Sequence, residues 1–177
     1  AGLRLVPEDR HRHGLVLDMT LAENLLLGDE PRYSRGPGRL LVDQAALLAE
    51  AARLLREHDV RPPDPLLLAR ALSGGNQQKL VLVRALFGGG ELPRVLVAAQ
   101  PTRGVDLGAI ESIQRALLKA RDRGCAILLL STDLDELRAL CDRIAVLYRG
   151  QILAELENAA TAPASREKLG ELMAGVA

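Results

Sequence analysis

Apolar positions change their rhythm along this chain. LRLVP (3–7) reads as the end of a strand stopped by Pro7, and EDRHRHG (8–14) as a polar loop. Thr20 and Glu23 fit a capping box that opens the short helix LAENLLL. Gly, Pro and Arg make 28–42 a loop. From Asp43 to His58, Leu47, Leu48, Ala51, Leu54 and Leu55 fall on one helical face, with Glu50, Arg53 and Glu57 placed to pair on the polar side. Prolines 62, 63 and 65 end this section.

After about residue 90 unbroken apolar runs alternate with helical patterns. RVLVAA (94–99), CAILLLS (125–131) and RIAVLY (143–148) read as buried strands. Between the first two, 107–122 predicts a helix with Ile110, Ile113 and Leu117 on one face, closed by Gly124. LDELRAL predicts a short helix, and an Arg149-Gly150 turn leads to QILAEL. Ser165 caps a last helix, 166–174. Strand–helix alternation with apolar strands implies an α/β fold with a parallel sheet.

Composition narrows the function. The 177 residues suffice for one domain with a sizeable core, and 48% hydrophobic content is globular. Basic and acidic residues balance at 23 each, and aromatics are 2%, so neither charge nor base stacking points to nucleic acid. No apolar run approaches the ~20 residues needed to span a bilayer, and AGLRLVPEDR lacks a signal-peptide pattern. The first residue is Ala, as in a processed chain or a piece of a longer one. Cys125 and Cys141 stand alone in apolar runs and read as buried thiols. His11 and His13 lie among arginines with no carboxylate or Cys cluster beside them, which favours a solvated basic loop over a metal site.

The string LSGGNQQK (72–79) carries the chemistry. Two glycines follow a serine where a helix begins. The first turn of a helix has unpaired N–H groups and the positive end of the dipole. Gly74 and Gly75 would let a phosphate approach the backbone, and Ser73 offers a hydroxyl. A plain Ser N-cap fits SGG equally well.

The longer string resembles the ABC signature motif, with an NQQK ending similar to that of sugar and nucleoside importers. QPTRGVDLGA (100–109) resembles the end of Walker B and the D-loop. STDLDELRALCDRIAVLYRGQI resembles the switch region, and VPEDRHRHGLVLDMTLAENL the Q-loop segment of the C-terminal half of duplicated importer ATPases. The likeness covers most of residues 2–157. It implies a partial P-loop NTPase-like ABC ATPase domain with a helical signature subdomain. Residues 1–8 and 91–157 would form a partial RecA-like core, 9–90 the signature subdomain and 158–177 a C-terminal helical tail.

The resemblance also shows departures. There is no GxxxxGK[ST], and none of the three lysines, Lys79, Lys119 and Lys168, follows a glycine. The family's P-loop would precede residue 1. Ala99 stands where the family's Mg²⁺-holding Asp is expected, Gln100 at the catalytic Glu, Thr132 at the switch His and Glu8 at the Q-loop Gln. Alanine ligates no metal, and loss of a positioned base costs ~10²–10⁴ in rate. The implied role is to supply Ser73, Gly74, Gly75, Asn76 and Gln77 in trans to ATP, with Mg²⁺, held by a second ABC domain, the N-terminal half of the same polypeptide. Asp106 would sense the opposite site. Residues 9–60 would touch transmembrane permease subunits at the cytoplasmic face of the membrane, with a substrate-binding protein acting indirectly.

Sugars and nucleosides are the implied cargo, with AAQPTRG pointing toward nucleosides. A soluble ABC protein of DNA repair or translation would carry a coiled coil or basic linker, neither of which is visible. A non-catalytic interaction module is the alternative of another class. The family's P-loop strand is expected between 95–99 and 126–131, so its loss would separate them and leave edges unpaired. Reading upstream of Ala1 should reveal a GxxxxGK[ST] motif preceded by a complete ABC domain. An upstream frame without either would remove the P-loop expectation.

Overall fold

The computed structural model describes residues 2–36, 41–158 and 164–175. Strand β1 (Leu3–Val6) leads to Pro7. Where a loop is expected at 8–14, Arg10–Gly14 instead form a π-helical turn. The Asp9 carboxylate nucleates it by accepting from the N–H groups of His11 at 3.0 Å and Arg12 at 3.1 Å. Helix α1 (Leu21–Leu26) opens on the expected capping box: Thr20 N–H donates to Glu23 at 2.7 Å, and Glu23 N–H donates to Thr20 Oγ1 at 3.2 Å. The stretch expected as a loop holds a 3₁₀ turn (Glu30–Tyr33) and a short antiparallel pair, β2 (Ser34–Arg35) with β3 (Leu41–Val42). Positions 37–40 of that loop lie outside the described residues, as do residue 1 and, in the expected tail, 159–163 and 176–177.

Helix α2 (Gln44–Glu57) starts at Asp43, which accepts from Ala46 N–H, and Arg53 pairs with Glu50 and Glu57 as its spacing suggests. There follow α3 (Gly74–Phe87), β4 (Val95–Ala99), α4 (Leu107–Asp122), β5 (Ala126–Leu130), α5 (Leu134–Leu140), β6 (Arg143–Tyr148), β7 (Gln151–Glu157) and α6 (Arg166–Met173). The chain divides into two compact units, 1–128 and 129–177. That division cuts across the expected 91–157 core. It arises because α3 packs against β1, α1, α2 and α4, joining the helical segment to the sheet in one body.

In the first unit the sheet order is β1–β4–β5. β1 and β4 are parallel, with Leu3 opposite Val95 and Val6 opposite Ala98. This corrects the expectation that 95–99 and 126–131 stand apart: they are neighbours, and Ala126 N–H donates to Arg94 O at 2.9 Å. The physical reason is the short crossover through α4, which returns the chain beside the strand it left. The core holds Val6, Leu96 and Ala98 from the sheet, Leu80, Val81 and Leu86 from α3, and Leu54, Leu55 and Ile113 from α2 and α4. Each such Val, Leu or Ile side chain contributes ~1.5–3 kcal/mol by burial.

The second unit is a β6–β7 hairpin packed with α5 and α6 around Leu137, Ile144, Val146, Leu169 and Leu172. Sequence reading expects β6 as a third parallel strand. It pairs antiparallel with β7 instead, because Arg149 (φ 47°) and Gly150 (φ 81°) form a two-residue turn of type I′ geometry.

The strands are also less buried than their apolar runs suggest. β5 alternates exposed and half-buried positions rather than lying in the core. On one face of the first unit's sheet, Leu3 is 60% exposed, Leu5 56% and Leu128 55%. Parallel sheets are ordinarily covered on both faces. We expect the chain by itself to self-associate through this face. Sedimentation velocity should show species above the 19.1 kDa monomer, and Leu5→Lys with Leu128→Lys should restore the monomer. A monomeric unsubstituted chain would refute this.

Candidate functional site

The Ser73–Gln77 turn begins the 14-residue helix α3. Ser73 is extended (φ −63°, ψ 158°) and exposed, and its Oγ accepts from Asn76 N–H at 3.4 Å and from Asn76 Nδ2 at 3.0 Å. It is therefore an N-cap whose hydroxyl still faces solvent. The Asn76 amide is thus capped by the serine and that of Gln77 donates to Ser73 O at 2.9 Å, while Gly74 and Gly75 stand where a helix offers no i−4 carbonyl, at the positive end of the dipole.

Close packing accounts for the two glycines. A Cβ on Gly74 would stand 2.9 Å from Arg10 Nη2. One on Gly75, which is buried, would stand 2.7 Å from Asp106 Oδ2 and 2.8 Å from Ala109 Cβ. Glycine thus lets the end of α4 and the Arg10 guanidinium close on the start of α3. Asp106 caps α4 by accepting from Ala109 N–H at 2.9 Å.

Three more ties fasten the turn. His11 Nε2 is 2.8 Å from Gln77 Oε1, and Gln77 Nε2 donates to Ala69 O at 3.2 Å. Asn76 Oδ1 accepts from Arg61 N–H at 2.9 Å. Arg103 pairs with Glu8, and Arg10 Nη1 donates to Arg103 O at 3.4 Å. Arg10 Nε is buried with no hydrogen-bond partner. The backbone N–H of Arg12, with that of His11, holds the Asp9 carboxyl below its ordinary pKa. The segments after β1, before α3 and after β4 therefore meet.

Of the residues expected from sequence, Glu8, Ser73, Gly74, Gly75, Asn76, Gln77 and Asp106 are joined by this network. Within it, Gln77 is buried and bonded internally, while Ser73 is exposed and accepts from Asn76. Ala99 ends β4, and Gln100 follows it at φ 48°. Thr132 belongs to the second unit, exposed on the turn from β5 to α5. Sequence reading missed Arg10, His11 and Arg103. Their partners lie 66 to 95 positions away, beyond any local pattern.

A methyl at 99 and an amide at 100 do not fit Mg²⁺, which takes carboxylate and phosphate oxygens. Among the described residues no group of three or more His, Cys, Asp or Glu could hold a metal ion.

Over 177 aligned residues the chain is 45% identical to the guanosine import ATP-binding protein NupO of Bacillus subtilis, covering 99% of this chain and 33% of that protein. It is 43% identical over 180 residues to the glucose import ATP-binding protein TsgD13 of Haloferax volcanii, covering 98% and 31%. The chain thus spans about a third of the length of the curated relatives it matches. Among solved structures it is similar, at TM-score 0.71 and 23% identity, to a dimeric ATP-binding cassette in a post-hydrolysis state bound to ADP and Pi, covering 89% of this chain and 63% of that one. No protein-family model matches the chain.

The two glycines should differ on substitution. Gly75→Ala meets the helix-borne Ala109 Cβ and should cost ~1–3 kcal/mol in denaturant unfolding. Gly74→Ala meets only the movable end of Arg10 and should cost less. Equal effects would overturn the packing account.

Proposed function

We propose that this chain, which is similar to ATP-binding proteins of sugar and nucleoside importers and has the fold of an ATP-binding cassette, is the signature-bearing part of such an ABC importer subunit. Its Ser73–Gln77 turn completes a nucleotide site whose phosphate-binding loop belongs to a second ABC domain. One observation carries this reading: an exposed serine stands at the N-terminus of the 14-residue helix α3, braced from behind by Arg10, His11 and Asp106. Such a turn is built to accept phosphoryl oxygens without rearranging.

ATP, when bound, supplies the phosphoryl group and the negative charge. Ser73 Oγ–H and the first-turn amides bind and orient that charge. Gly75 allows the start of α4 to pack against the turn and hold it in place. Arg103, paired to Glu8, couples the turn after β4 to the end of β1, so a pull on the Ser73 turn is felt at both. Coupling of this kind passes through packed elements with two arrangements.

The reaction itself is assigned to the site carried by the partner domain. Here Ala99 and Gln100 bring neither a metal ligand nor a base, and no step is routed through Mg²⁺ on this chain. The chain taken alone is inactive as an ATPase. Among the described residues no helix is long and apolar enough to cross a membrane, and attachment at the cytoplasmic face comes through permease subunits that contact the 9–60 segment. The cargo class is a sugar or nucleoside. The guanosine-importing relative and the QPTRGVD string support the latter.

Ser73→Glu in the intact subunit places a carboxylate against the phosphoryl charge. ATP turnover and cargo uptake should both fall by at least ~10²-fold, the scale seen when one preorganised donor is lost. Unchanged turnover would reduce the turn to a helix start.

A further inference from the structure

We propose that the cleft walled by α2, α3 and α4 binds a small organic phosphate bearing a flat ring. The cleft measures about 720 Å³, within the ~300–1,000 Å³ of small-molecule sites. Its floor is apolar, with Leu54, Leu82 and Ile113. His58 and Phe87 stack at one side, ring centroids 4.2 Å apart and 16° from parallel. Both rings are half-buried and line the cleft, so they present aromatic surface to a planar ligand.

The charges define the other half of the ligand. Arg115, Lys119 and Arg123 line the cleft at intervals of four residues, on one face of α4 and its C-cap. Like charges at this spacing repel, and successive ones lie ~6 Å apart along the axis. The carboxylates of the cleft are already engaged. Glu57 holds Arg53 at 2.5 Å, Asp59 holds Arg61 at 2.5 Å and Lys79 at 3.1 Å, and Asp122 holds Arg121 at 2.9 Å. Among the described residues the three α4 cations form no ion pair or hydrogen bond.

Favourable contact with the helix dipole explains basic residues in the last turn only. Arg115 lies two turns before the end of α4, beyond the reach of the dipole. The row is exposed, and an anion seated in the cleft would be attracted by all three charges, whereas a neutral sugar would not. Along α3 the cleft runs from Lys79, six residues and ~9 Å past Ser73, to Phe87, and none of residues 73–77 lines it.

Titration of the ¹⁵N-labelled full chain with AMP tests this. Saturable amide shifts should centre on His58 and 112–123, leaving 73–77 unmoved. Adenosine and inorganic phosphate, each lacking half of the ligand, should bind at least about tenfold more weakly. Lys119→Glu should weaken AMP by about tenfold or more while preserving or raising the melting temperature, because it converts repelling pairs to attracting ones. Arg115→Gln, equally exposed, should also weaken it. Three outcomes would each overturn the proposal: no saturable shift up to about 10 mM AMP, shifts centred on 73–77, or AMP affinity unchanged in both variants.

Discussion

The burial of α3 is the constraint on which the rest of the first unit depends. Leu80, Val81 and Leu86 are wholly enclosed, and the helix touches β1, α1, α2 and α4. A helix enclosed on so many sides has little freedom to slide or rotate, since interiors are packed at crystal density. Its N-terminus is therefore delivered to one place, with Ser73 exposed there. The glycines at that end are the local consequence: the elements that hold α3 come too close there for a Cβ.

This arrangement ties the candidate site to stability. Arg10, His11 and Asp106 brace the start of α3 from two directions, and Glu8 with Arg103 joins those directions to each other. Asparagine and glutamine within the turn are satisfied inside the molecule, which leaves the serine hydroxyl and the backbone to meet a ligand. Most specificity in such a turn resides in its geometry, and its residue types matter through the packing they permit.

In the function proposed above the chemistry is divided between domains: the Ser73 turn would hold phosphoryl charge, while the end of β4 and the residue after it bring only a methyl and an amide. The open apolar face of the β1–β4–β5 sheet fits the same picture, because a parallel sheet covered on one side has reason to find a partner.

Much of this was legible in the residues. Helix α2, its stripe and its Arg53 pairs, the Thr20 capping box, the helix 107–122 and the LSGGNQQK start of α3 all depend on contacts within a few positions, which local spacing encodes. The Asp9-nucleated turn was encoded too, but a charged run of arginines and histidines masked it. Strand neighbours were decided only in three dimensions: β5 beside β4 follows from a crossover and the direction of β6 from a two-residue turn, whereas an apolar run reports neither. Likewise the bracing of Gly74 by Arg10 and of Gln77 by His11 joins positions more than sixty apart. Such contacts come into being only when burial of α3 brings their segments together, and no pattern along the chain could announce them.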